Sequence, residues 1–95
     1  MRYRPRTDRN QKSIVSGLRA LGADVLILAG VGHGCPDLLV KFRSKLYLLE
    51  VKDGSKPPSA RTLTEQERLF HLVWAECTSI VYDIESAYRA IGALV

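Results

Sequence analysis

Apolar residues recur along this chain in blocks whose spacing switches between helical and extended periods. Ile14, Leu18 and Leu21 recur at helical spacing, which predicts a first helix capped by Thr7 or Asp8 and stopped at Gly22. Val25 to Leu28 is a short apolar run and predicts the first strand. Gly30-Val31-Gly32-His33-Gly34 follows as a glycine-rich loop. Asp37 to Phe42 and Leu46 to Lys52 predict the next two strands, joined by a tight turn near Arg43-Ser44. Along the second of these, Leu46 and Leu48 point one way while Tyr47, Leu49 and Val51 point the other. Both sides are apolar, so this strand is expected to be central and covered on both faces.

Beyond it, Gly54 to Arg61 carries two prolines, a glycine and two serines and predicts a loop. Thr64-Glu65-Gln66-Glu67 has the form of a capping box. Leu69, Phe70, Val73 and Cys77 are expected to mark the buried face of the helix it opens. Ser79 to Tyr82 suits a fourth strand. Asp83 or Ser86 can start a last helix carrying Ala87, Ile91 and Leu94. The predicted class is α/β, a mixed four-stranded sheet flanked by helices in the order α-β-β-β-α-β-α, without internal repeats or low-complexity tracts.

Length sets one domain over 1–95, because 95 residues are too few for two cores. No apolar run approaches the ~20 residues of a membrane helix. The basic start is not followed by a secretory apolar core and cleavage site, so an intracellular, cytoplasmic protein is expected. Cys35 and Cys77 are read as two reduced thiols, and no second Cys or His pair accompanies them to make a zinc motif.

The net charge of +4 is unevenly placed. Arg2, Arg4, Arg6, Arg9 and Lys12 are opposed only by Asp8 in the first twelve residues, which leaves the rest of the chain formally neutral. Such an arm suits a polyanion such as DNA or RNA; the plainer alternative is a solvated, disordered terminus over 1–7.

The register of the central hairpin decides what its acids can do. A turn centred on Arg43-Ser44 sets Phe42 opposite Lys45 and, step by step outward, Asp37 opposite Glu50. Directly opposed Cβ atoms lie ~4.5–5.5 Å apart, close enough for two carboxylates to share one cation. A slip by one residue would send the acids to opposite faces. Arg-Ser lacks the Asn or Gly of a two-residue type I′ turn, and a four-residue loop from Phe42 to Lys45 would keep the same register. Paired carboxylates repel and call for a proton, a cationic partner or a metal. Their hard oxygens favour Mg²⁺ or Mn²⁺. Lys52 shares a strand face with Glu50, where its ammonium can serve a metal-bound water or a scissile phosphate. The Val51 backbone carbonyl is a further candidate ligand. A structural ion pair is the competing explanation.

Gly34-Cys35-Pro36-Asp37, a hairpin, Glu50-Val51-Lys52 and then Leu63-Thr64-Glu65-Gln66 resemble the PD-(D/E)xK nuclease pattern. More narrowly, they resemble the virus-type replication-repair nuclease (VRR-NUC) domain in its compact phage form, from the first helix to the last strand. That resemblance implies a restriction-endonuclease-like fold, Mg²⁺ or Mn²⁺, DNA cleavage, a role in DNA repair, and the cytoplasm of a phage or bacterial host. Small viral members are similar to structure-selective nucleases that act on branched DNA as homodimers. The match implies that Asp37 and Glu50 bind metal, that Lys52 assists the nucleophilic water, and that Gln66 is the family's helix glutamine near the site. The plainer alternative for Gln66 is an ordinary polar residue at a cap. The family's first-helix glutamate falls near Gln11, an amide here, which could weaken a metal or water contact, alter metal preference, leave the task to Asp8, or mean that Gln11 only caps the helix.

Other features change the picture less. The glycine run leads to Pro36 and a strand rather than a helix N-terminus, so it is no nucleotide fingerprint and no nucleotide cofactor is expected. His33 in that loop could touch a phosphate or a metal-bound water. Lys56 and Arg61 could contact phosphates, or belong to a solvated loop. His71 is expected to be packing or surface, and Phe70 and Tyr82 core. Three readings follow: a metal-dependent DNA endonuclease, a non-catalytic nucleic-acid-binding module of the same fold, or another PD-(D/E)xK branch of resolvase or restriction type.

Overall fold

A computed structural model describes residues 9–94. Helix α1 runs Arg9–Leu21 and buries Ile14, Val15 and Leu18. It stops at Gly22, whose φ of 102° suits glycine. Leu21, expected on the same face, is 39% exposed. The caps read at Thr7 and Asp8, and the arginines at 2, 4 and 6, lie outside the described residues.

Strand β1 (Asp24–Ile27) begins one residue earlier than its apolar run suggested. It pairs antiparallel with β2 (Leu38–Phe42), which pairs antiparallel with β3 (Lys45–Val51). The β2–β3 register sets Leu38 opposite Leu49 and Phe42 opposite Lys45, as the turn position predicted. The turn is the tight one centred on Arg43-Ser44. Arg43 and Ser44 both take positive φ, 52° and 67°, so the connection is the two-residue kind despite the unfavourable residues. The Arg43 guanidinium lies 4.8 Å from the Phe42 ring centroid, a contact available in this geometry.

After β3 the chain makes a 3₁₀ turn at Pro58–Ala60 within the predicted loop. Helix α2 (Glu65–Val73) opens on the expected capping box, with Thr64 and Glu67 bonded reciprocally. Strand β4 (Thr78–Val81) pairs parallel with β3, and α2 is thus the crossover that a parallel pair requires. Helix α3 (Ile84–Ala90) opens on a second capping box made by Asp83 and Ser86. The sheet order is β1-β2-β3-β4, mixed, with β2 and β3 as the two interior strands.

One face of the sheet is dry. Leu38, Val40, Leu49, Val51 and Val81 meet Ile14 and Leu18 of α1 and Ala87 of α3 in a single core. Gly17 permits close approach of the two helices, since a Cβ there would stand 3.2 Å from Ile84. The Tyr88 hydroxyl donates to the Gly17 carbonyl at 2.9 Å. The opposite face carries Leu39, Leu46, Leu48 and Glu50, and it is only partly covered. Leu46 is 59% exposed, which corrects the expectation of full cover on both sides. The same holds for α2, none of whose residues is buried. Leu69 and Val73 are exposed and Phe70 and Cys77 half-buried. Tyr82 and Leu94 are also exposed rather than core. Both cysteines are free. Among the described residues no helix is long and apolar enough to cross a membrane.

Candidate active site

The site lies where β2 begins and β3 ends, on the half-covered face of the sheet. The backbone of Leu28 donates to the Asp37 carbonyl at 2.8 Å, extending the β1–β2 ladder one residue past its regular end. Continuation of the β2–β3 register from Leu38 and Leu49 then sets Asp37 opposite Glu50. One Asp37 carboxylate oxygen accepts from the Val51 N–H at 2.7 Å, which ties the start of β2 to the end of β3. Pro36, just before it, is fully buried and fixes the chain's entry.

Glu50 is 3% exposed and is the one buried charged residue of the described chain. Its Oε1 has no hydrogen-bond partner among the described residues. Burial, the neighbouring Asp37 charge and hydrogen bonding with Asp37 push its pKa up to about 9; Glu67 adds to this and Lys52 opposes it. At neutral pH the pair therefore holds a proton in the absence of a cation.

Lys52 shares the face of Glu50 and stands 3.8 Å from Glu50 Oε2. Its nearer partner is Glu67, with Nζ donating to Oε1 at 3.1 Å. Burial raises the Glu67 pKa, but the Thr64 N–H and the Lys52 ammonium outweigh it and the net shift is downward, so Glu67 is a carboxylate. Gln66, the residue the motif singled out, is exposed. Its backbone nonetheless matters. A Cβ on Gly34 would collide with the Gln66 carbonyl and stand 2.8 Å from the Glu67 nitrogen. Gly34 also has φ 77°, so the glycine loop both turns here and seats the N-terminus of α2 against the site.

Asn10 was not singled out by the sequence. Its side-chain amide donates to the carbonyls of Lys52 and Tyr82, both at 2.9 Å, and so clasps α1 to the ends of β3 and β4. Gln11, one residue on, lines a different cleft with Lys12, Val15, Ser16, Arg19 and Ile27. Asn10 reaches the site because it lies about 100° round the helix from Gln11. His71, one turn after Glu67, has a buried Nε2 without a partner among the described residues. Burial lowers its pKa, the Glu67 charge opposes this and the Lys52 charge adds to it. Cys35 lies beside the carboxylates too: burial, then Glu50 and Asp37, raise its pKa and keep it a thiol. Arg9, Lys12, His33 and Lys56 are exposed. Arg61 is half-buried with its guanidinium 5.8 Å from the Tyr82 ring centroid.

No family model matches the chain, and no curated protein matches it. A solved structure described as a "VRR_NUC domain" does, with a TM-score of 0.64 and 26% sequence identity over 92% of this chain and 95% of that one. The chain has the fold of a VRR-NUC domain. The resemblance read from its motifs and the predicted mixed-sheet architecture are both borne out. Within the VRR-NUC fold, Asp37, Glu50 and Lys52 meet at one end of the central strands, with Glu67 rather than Gln66 as the helix side chain beside them.

The donor set fits a hard divalent cation. Two carboxylates meet, one of them buried with an unpartnered oxygen, and Mg²⁺ commonly takes one or two carboxylates plus waters. Among the described residues no three His, Cys, Asp or Glu side chains form a metal-holding group.

Proposed function

We propose that this protein is a divalent-metal-dependent DNA endonuclease that hydrolyses phosphodiester bonds, selective for branched DNA such as four-way junctions. The observation that carries the reading is the buried Glu50 carboxylate set against Asp37, with an oxygen left unpartnered and an ammonium alongside. The likeness to a nuclease domain supports it. Asp37, Glu50 and the Val51 carbonyl would hold Mg²⁺ or Mn²⁺. When bound, such an ion polarises the phosphate and makes an attacking water more acidic. Lys52 supplies a positive charge for the phosphate oxygens as water adds and the P–O bond to the leaving oxygen breaks. Asn10 fixes the backbone from which Lys52 projects. Arg9, Lys12, Lys56 and the exposed His33 are available for phosphates along the duplex.

A homodimer belongs to the same proposal. One protomer carries one acid pair, and cutting two strands at a symmetric branch takes two sites related by a two-fold axis. The exposed Leu46, Leu69, Leu72, Val73 and Trp74 offer apolar surface for a second copy. The expected setting is intracellular, in DNA repair.

Cleavage of labelled four-way junctions, flaps and plain duplex, with Mg²⁺, with Mn²⁺ and with chelator, tests this. Metal-dependent cutting of junctions over duplex is expected. The second reading, a DNA-binding module without activity, is favoured by the absence of a three-ligand cage among the described residues. Binding without cutting in either metal would establish it. Sequence-dependent cutting of plain duplex would point to a restriction-type enzyme.

A further inference from the structure

The Lys52 ammonium is held from outside its own strand. Glu67 Oε1 accepts from Lys52 Nζ at 3.1 Å and from the Thr64 N–H at 2.9 Å. One carboxylate oxygen thus closes the capping box of α2 and grips the lysine of the site. The remaining anchors of α2 are few. None of its residues is buried, and its N-terminal turn rests on Gly34 through direct backbone contact. Glu67 and Lys52 are each largely shielded, with side chains 18% and 17% exposed, so their pair is less screened than a surface ion pair.

We infer that Glu67 is a positioning residue, which holds the Lys52 ammonium beside the Asp37–Glu50 pair and makes the lysine's placement depend on the seating of α2 against Gly34. Its consequence for cleavage rests on the proposed nuclease reading; the grip on Lys52 does not. A lysine has four rotatable side-chain bonds and a compact charge that does not orient itself. Glu50 at 3.8 Å is too long to fix it by hydrogen bonding. Glu67 supplies the short directional contact.

Glu67→Gln separates this role from helix capping, because Gln at the third helical position also completes a capping box. Thr64→Ala does the reverse: it removes the hydroxyl cap from the Glu67 N–H but leaves Glu67 charged. Two readouts are compared across the three proteins. The first is acetylation of Lys52 followed by peptide mass spectrometry, with exposed Lys45 and Lys56 as internal references. The second is steady-state cleavage of a junction with Mn²⁺. Glu67→Gln is expected to raise Lys52 labelling several-fold over the references. It should also lower kcat by about 10–100-fold with KM for DNA unchanged. Thr64→Ala is expected to lower Tm by roughly 4–8 °C while leaving Lys52 labelling and kcat as in the wild type. Equal Lys52 labelling in wild type and Glu67→Gln overturns the inference, whatever the cleavage data. Equal losses of kcat in both variants also overturn it, since helix stability alone would then account for the effect. A wild-type protein that cuts no DNA sinks the nuclease reading instead, and the labelling still decides the role of Glu67.

Discussion

Glu50 should make the metal-free protein lose stability as pH rises, opposite to the usual behaviour of a paired carboxylate. Its pKa is 4.5 in the unfolded reference and about 9 in the fold. Between these values the folded chain keeps a proton that the unfolded chain has lost. Stability from this group is complete below the lower value and drains away as pH climbs through the upper one. The slope is at most ~1.4 kcal/mol per pH unit. Glu67 and His71 shift downward, so their contributions change only below about pH 6.5. A window from about pH 7 to 8, below the range where the raised Cys35 thiol contributes, therefore isolates Glu50, with a loss of up to ~1.4 kcal/mol. For a chain of this length that corresponds to a fall of roughly 7 °C in Tm. A cation competes with the proton, so Mg²⁺ or Mn²⁺ at a hundredfold over Kd should restore about 2.7 kcal/mol. Thermal and urea unfolding followed by circular dichroism, with EDTA or with metal, measures both. Glu50→Gln should flatten the pH dependence and abolish the metal response. Metal-free stability that is level across the window, or a variant with the wild-type slope, would refute the charge state assigned to the buried pair.

Other outcomes follow from single contacts. Asp37→Asn and Lys52→Ala are each expected to reduce junction cleavage by ~10²-fold or more while DNA binding, read by fluorescence anisotropy, persists; wild-type rates in either remove that residue from the site. Asn10→Ala breaks two hydrogen bonds to strand-end carbonyls and should cost about 1–3 kcal/mol in urea unfolding, with a loss of activity beyond that of an equally destabilised core variant. Gly34→Ala forces a side chain onto the Gln66 carbonyl at a positive φ, so it should displace α2, lower Tm and lower kcat together. An unaffected kcat there would detach the seating of α2 from the chemistry.

Local chemistry was legible in the residues alone. The capping box at Thr64 involves atoms three residues apart, so the pattern of types suffices to read it, whereas at the last helix the types left the start open between Asp83 and Ser86. The hairpin register was legible because strand alternation and turn position leave one solution, and with it came the facing of Asp37 and Glu50. Family likeness, carried by short motifs at the ends of those strands, was legible for the same reason. The phase of α2 was not. Successive helical residues differ by about 100° in direction, and which of Gln66 and Glu67 meets Lys52 is set by where Gly34 lets the helix backbone rest. Asn10 likewise gains its role from two carbonyls 42 and 72 residues away. The apolar stripe of α2 promised burial, but burial needs an opposing surface, and this fold places α1 and α3 on the other side of the sheet. Periodicity along a chain determines which elements form and how neighbours pair. The rotation of each helix about its axis, and the partner its polar groups find, depend on long-range contacts that no local spacing encodes.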